Sequence, residues 1–171
     1  MPVTVKHPAF PTIDLASAEK EIVAALDSAF SEVGFCICNN AYSDPEIRED
    51  AFAASRAFHK LPETVKASYA INSAHRGYIS PKSSTSRTSS VTKVQRPNTS
   101  ESFMLMHEVL ENDPRLGKPL QGPNQWPQEV PGFQNKMTAY WQDVNCTARK
   151  LAKLCLKALG IEIGLYEAWF R

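Results

Sequence analysis

The segment that most limits what this chain can fold into is the last long one, "FQNKMTAYWQDVNCTARKLAKLCLKALG". Met137, Tyr140, Trp141, Val144, Ala148, Leu151, Ala152, Cys155 and Leu159 recur there at steps of three and four. That spacing predicts one amphipathic helix opening at Phe133 and closing at Gly160, where a glycine can take the left-handed cap. A stripe so long and wide is stable only against a large apolar surface, so the rest of the chain has to supply that surface or find it elsewhere.

Upstream, "SAEKEIVAALDSAFSEVG" repeats the helical spacing with Ile22, Ala25, Leu26, Ala29, Phe30 and Val33. Ser17 is available as its N-cap and Gly34 as its stop. "GFCIC" follows and reads as a short buried strand. "SDPE" then offers a cap at Ser43 or Asp44 and a proline in the first turn of a helix that runs to about His59 and buries Ile47, Ala51, Ala54 and Phe58. Pro62 starts another short helix in "KLPETVKASY", since proline is tolerated only in a first turn. "GKPLQGPNQWPQEVPG" is rich in proline and glycine and predicts an irregular connection.

From Ser80 to Ser102 the composition shifts to Ser and Thr with Lys82, Arg87, Lys93 and Arg96. A strip that binds single-stranded nucleic acid interleaves aromatic residues, and none stands between Tyr78 and Phe103, so a solvated, mobile loop is the expectation. The whole chain carries 19 basic and 18 acidic residues, a net charge of +1, which gives no general pull toward nucleic acid or an anionic membrane. With 171 residues, 43% of them hydrophobic, the chain is expected to be globular and to fold as one domain. No apolar run approaches the roughly 20 residues of a membrane span, and "MPVTVKHPAF" lacks the apolar core of a signal peptide, so a cytoplasmic location is expected. Cys36, Cys38, Cys146 and Cys155 are then expected to stay reduced. Cys36 and Cys38 point to one strand face, but no CxxC pair or Cys/His quartet completes a zinc site.

One short stretch invites a metal reading. "ESFMLMHE" closes on His107 and Glu108. Strand alternation puts Phe103 and Leu105 on one face, Met104 and Met106 on the other, and sends the neighbours His107 and Glu108 to opposite sides. They are poorly placed to ligate one ion together. The residues two places after His7, His59, His75 and His107 are Ala9, Leu61, Gly77 and Val109, so the chain holds no HxD or HxE pair.

Taken in order, "PTIDLA", the helix ending in "VGFCIC", "AFHKLPETVKASY", "RGYISP", "ESFM", "GPNQWP" and the long last helix resemble the amino-terminal region of isopenicillin N synthase-like non-haem iron dioxygenases, most of which use 2-oxoglutarate. The resemblance spans nearly all of residues 1–171. It implies an α+β fold, amino-terminal helices with the first few strands of a double-stranded β-helix or jelly-roll, whose catalytic core is incomplete here.

By the resemblance, the iron ligands are an HxD pair and a distant His, and an Arg-x-Ser pair anchors 2-oxoglutarate; all would lie beyond Arg171 on a catalytic jelly-roll domain. No residue of this chain is therefore assigned to catalysis, to a cofactor or to a metal. The expectation is that this portion of an oxidoreductase is inactive alone, with Fe(II) and 2-oxoglutarate bound only by the complete enzyme. In complete members "RGYISP" and "ESFM" are strands at the edge of the cavity, which places His75, Ile79 and Met104 nearest a small-molecule substrate. Self-association or pairing with a complete homologue is the expected partner chemistry, without nucleic acid or membrane. The alternative reading is a stand-alone interaction or regulatory module derived from the same family.

Overall fold

The computed structural model describes residues 10–41, 44–83, 96–162, 164 and 166. Most of the Ser/Thr-rich loop, and with it the expectation of mobility there, lies outside the described residues. In chain order the elements are β1 (Thr12–Asp14), α1 (Glu19–Glu32), β2 (Ile37–Asn39), α2 (Pro45–His59), α3 (Glu63–Ser68), β3 (Gly77–Ile79), β4 (Ser102–Met104) and α4 (Phe133–Ala158). The chain divides into two compact units, one of residues 1–49 and 138–171, the other of residues 50–137.

In the first unit, β1 and β2 pair in parallel, with Ile13 opposite Cys38. Asp14 closes the turn that follows, its carboxylate accepting the Ala16 N–H at 2.9 Å and the Asn40 amide at 2.7 Å. The core is Ile13, Leu15, Ile22, Leu26, Ala29 and Leu154, with Cys36, Cys38, Leu151 and Cys155 half-buried against it. All four cysteines are free thiols. Gly34, at φ +93°, ends α1, and its N–H returns to the Ala29 carbonyl at 2.9 Å.

Several details differ from the sequence reading. Ala18, not Ser17, occupies the N-cap of α1 and makes no side-chain cap. Phe30 and Val33 are exposed, and so is Ile37 of the strand expected to be buried. A ribbon of two three-residue strands is too narrow to cover a whole helix stripe, so only the line Ile22, Leu26, Ala29 is buried. The same holds for α4: Leu154, outside the expected stripe, is its buried residue in this unit, while Trp141 keeps 41% of its surface and Val144 and Leu159 are also exposed. α4 does end as expected. Gly160 takes φ +67°, its N–H bonds to Lys157, and the Ile161 N–H reaches back to Leu156, which is a Schellman cap.

In the second unit, Phe58 of α2 is fully buried among aromatic rings. Its centroid lies 4.6 Å from Phe103, 5.8 Å from Tyr78 and 6.0 Å from Phe133. Ala54, Val130 and half-buried Leu61, Leu105, Trp126 and Met137 complete this cluster. The start of α2 is capped by Asp44, whose carboxylate accepts the Glu46 N–H at 2.9 Å; the other candidate, Ser43, lies outside the described residues. Pro62 stands one residue outside α3, as its N-cap. β3 and β4 form an antiparallel ribbon with Tyr78 opposite Phe103, so both rings enter the aromatic cluster from one face.

Candidate functional site

The β3–β4 ribbon gathers most of the second unit's buried polar chemistry. Below it, Lys66 of α3 is buried, an expensive position for an ammonium group unless it is paired. Its Nζ donates to Glu101 Oε2 at 2.6 Å and sits 3.2 Å from Glu63, one helical turn back. The Tyr78 hydroxyl donates to the same Glu101 oxygen and faces Glu63 at 3.1 Å. His59 Nδ1 lies 3.4 Å from the other Glu101 oxygen, without hydrogen-bond geometry.

These contacts set the titration of the cluster. The hydrogen bond from Lys66, then that from Tyr78, holds the Glu101 carboxyl below the usual range, and Glu101 in turn holds the Lys66 amine above its own. Burial first, then Glu101, pushes the Tyr78 phenol up to about 12. A carboxyl whose pKa is lowered on folding contributes stability that is present above the unfolded value of about 4.3 and lost as the pH falls through the folded one. Replacing Glu101 by Gln is therefore expected to destabilise the protein most at neutral pH. The gap from wild type should close as the pH falls from about 5 to 3, read by urea unfolding across that range. A gap that stays constant with pH would refute this account of Glu101.

At the end of the ribbon, immediately before β3, the chain is tied down by Arg76, only 1% exposed. Its guanidinium donates to three main-chain carbonyls, those of Ala74, Leu120 and His107, the last at 2.8 Å. The Gln125 amide bonds the carbonyls of Ala70 at 3.0 Å and Arg76 at 2.7 Å. His107 and Glu108 meet different partners. The Glu108 carboxylate accepts the Asn124 N–H at 2.8 Å, and Asn124 takes the place of a neighbouring strand by bonding both the N–H and the carbonyl of Met106, at 3.0 and 2.8 Å. His107 Nε2 faces Arg115 at 3.0 Å, and Arg115 pairs with Asp113, whose carboxyl is held far below its usual range.

Of the three residues expected near substrate, the register puts Ile79 and Met104 on the ribbon face opposite Tyr78 and Phe103. Both are half-buried. His75 is not on the ribbon: it is exposed, with φ +66°, in the turn before β3, its N–H bonded to the Asn72 carbonyl at 2.9 Å. Lys66, Glu101 and Arg76 were not singled out from the sequence. Glu63 and Lys66 stand at i, i+3 spacing on α3, which was a legible local signal; Glu101, 35 residues away, was not.

The cluster does not fit a ferrous ion. Its two carboxylates, Glu63 and Glu101, both face a built-in cation, the Lys66 ammonium, which takes the place a metal would need, and the His59 imidazole lies against Glu101. Among the described residues no group of three His, Cys, Asp or Glu side chains is arranged to hold a metal ion. Nor is any helix among them long and apolar enough to cross a membrane.

Comparison with known proteins gives one answer throughout. The chain is 27% identical to the 2-oxoglutarate-dependent dioxygenase eupC of Phoma sp, over 99% of this chain and 55% of that protein. It is 31% identical to azadirone synthase LFS of Melia azedarach, over 87% of this chain and 45% of the relative. The chain thus spans about half the length of these curated relatives. Its fold matches a 2OG-Fe(II) oxygenase family protein of Caulobacter crescentus with a TM-score of 0.77 at 18% identity, covering 94% of this chain and 52% of that one. It also matches the C-terminally truncated T7H of Neurospora crassa, with a TM-score of 0.71 at 22% identity, covering 98% and 59%. The sequence profile of the family described as "non-haem dioxygenase in morphine synthesis N-terminal" matches residues 10–129, and the chain belongs to that family.

Proposed function

We propose that this chain is the amino-terminal portion of a cytoplasmic, 2-oxoglutarate-dependent non-haem iron oxygenase acting on a small organic substrate. The observation that carries the reading is the family match over residues 10–129, joined to relatives that extend about twice as far as this chain. In this reading a catalytic jelly-roll lies carboxy-terminal to residue 171 and holds Fe(II) and 2-oxoglutarate, which supply oxygen activation when bound. This chain's own residues ligate neither. Its part is to shape the substrate side, with Ile79 and Met104 on the outward face of the β3–β4 ribbon and His75 in the adjoining turn. The Lys66–Glu101–Tyr78 cluster and the Arg76 clamp hold the ribbon from its other side and its ends.

The reading is tested in two steps. The coding sequence is expected to continue in frame past Arg171 and to contain a His-x-Asp pair. The 171-residue chain alone should show no 2-oxoglutarate-dependent oxygen uptake, whereas in the continued protein Ile79→Trp or Met104→Trp should raise KM for the substrate at least tenfold, about 1.4 kcal/mol, and leave substrate-free 2-oxoglutarate turnover unchanged. Ferrous binding by the chain alone at or below about ten micromolar would overturn the assignment of all ligands to the missing portion. A sharp unfolding transition of the monomeric chain above about 60 °C would favour a stand-alone interaction module instead.

A further inference from the structure

Three of the four thiols meet at the core of the first unit. Cys36, Cys38 and Cys155 are half-buried against Ile13, Leu15, Ile22, Leu26, Ala29 and Leu154, while Cys146 is exposed and outside this cluster. Cys36 and Cys38 flank Ile37, so strand alternation turns both thiols to one face and the exposed Ile37 to the other. Their Sγ atoms stand 4.0 Å apart, in S–H···S contact. One half-buried cysteine is simply a small apolar side chain. Two in contact on one face are also an oxidisable pair, because a disulfide needs Cα atoms about 4.4–6.8 Å apart. Alternate residues of a strand are separated by two rises, about 6.4–6.8 Å, at the upper edge of that range. A bridge is within reach, but only if the strand shortens at Ile37, and bridges under such strain are the readily reduced ones.

We propose that Cys36 and Cys38 are a reversible redox pair, closed to a disulfide by a hydroperoxide and reopened by a small thiol, and that closure loosens the β1–β2 pairing. With hydrogen peroxide, the Cys36 thiolate sulfur attacks one peroxide oxygen and the O–O bond breaks. The released hydroxide takes up the proton that Cys36 lost, leaving a sulfenic acid and water. The Cys38 sulfur then attacks the Cys36 sulfur, the S–O bond breaks, and the hydroxyl departs as water with the Cys38 proton. Two thiols have lost two electrons and two protons, and one peroxide has become two waters. Two molecules of a small thiol reverse the bond by exchange and end as a disulfide themselves. Burial, then the charge of Cys36 and the hydrogen bond to it, pushes the Cys38 thiol up, so Cys38 arrives second and with its proton. Burial, then the Cys36 charge, likewise pushes the Cys155 thiol up. The Ile37 N–H, between the two cysteines, donates to the Pro11 carbonyl at 2.8 Å, and Cys38 stands opposite Ile13. Shortening the strand there pulls on the first bond of the parallel pair. This inference stands apart from the oxygenase reading, since it uses no residue of the β3–β4 ribbon.

The test treats the full chain with hydrogen peroxide, alkylates it with iodoacetamide under denaturing conditions and maps the tryptic peptides. Cys36 and Cys38 share the peptide Glu21–Arg48, whereas Cys146 and Cys155 fall on two others, so each possible bridge has its own mass signature. The peptide Glu21–Arg48 is expected to lose two hydrogen atoms and both labels while Cys155 keeps its label, and reduced glutathione at about 5 mM should restore both. Hydrogen exchange of the Ile37 amide should quicken at least about tenfold in the oxidised protein. In Cys38→Ser, Cys36 should gain oxygen instead. A bridge to Cys155, oxygen added to the wild-type pair without a bridge, a bridge that glutathione does not reopen, or an unchanged Ile37 amide each overturns the proposal. The wild-type map decides even if the serine variant does not fold.

Discussion

Replacing Arg76 by Met is expected to destabilise the second unit by on the order of 4 kcal/mol, a large share of what a domain of this size has. Arg76 is almost wholly buried, and its three hydrogen-bond partners are main-chain carbonyls from segments far apart in sequence, residues 74, 107 and 120. Methionine fills a similar volume but donates nothing, so carbonyls that cannot reach water lose their partner. The cost is partly offset because a buried positive charge is removed with it, and Arg76 Nε has no partner to lose. Lysine in the same place has a compact ammonium that cannot reproduce the planar fork, so Arg76→Lys should recover less than half of the loss. Urea unfolding of the three proteins measures this, with hydrogen exchange at residues 105–110 and 118–122 as the local readout. A loss under about 1 kcal/mol for Arg76→Met would mean that the clamp is a consequence of the loop packing and not its cause.

The elements themselves were legible. Apolar residues at steps of three and four, bounded by Asp44, Gly34 and Gly160, mark α1, α2 and α4 within a few residues of where they stand, because helix periodicity and caps are written locally. The ordered set of motifs was equally legible as a family resemblance, and the family match agrees with it. How much of each apolar stripe would be covered was not. Phe30, Val33, Trp141 and Leu159 have the spacing of core residues and remain exposed, since burial depends on a partner surface that periodicity does not report. The ribbon was legible as two strands, and the alternation in "SFML" put Phe103 and Leu105 on one face, which in the structure is the face packed on the aromatic cluster. Its polar supports were hidden for a different reason. Lys66 meets Glu101 across 35 residues, and Arg76 meets Leu120 across 44. A lysine or arginine in a polar stretch looks like surface until the fold closes over it.

Gly77→Ala should do more damage than the same substitution at any other glycine of this chain. Gly77 opens β3 at φ +120°, a conformation that residues with a Cβ rarely adopt, and strain of this kind costs about 1–3 kcal/mol by itself. The space is also taken. A Cβ there would lie 2.3 Å from the Tyr69 carbonyl oxygen, 2.2 Å from Gln125 Nε2 and 3.0 Å from the Ala70 carbonyl oxygen. Gln125 can swing away only by giving up its bonds to Ala70 and Arg76, and the Tyr69 carbonyl is fixed by the Tyr78 N–H at 2.7 Å. Relief therefore requires moving main chain on which the ribbon, the Tyr78 hydroxyl and the Arg76 clamp all depend. The combined cost is expected to be on the order of 5 kcal/mol, enough to abolish the cooperative unfolding of the second unit at 25 °C. Gly34→Ala is the control that separates the two effects: its φ of +93° is comparably strained, but nothing lies within 4 Å of the added methyl. It should cost only the conformational part, about 1–2 kcal/mol. Near-ultraviolet circular dichroism and urea unfolding of both variants give the comparison. Equal losses would show that the backbone angle alone explains Gly77, and that the close approach of Tyr69 and Gln125 yields without cost.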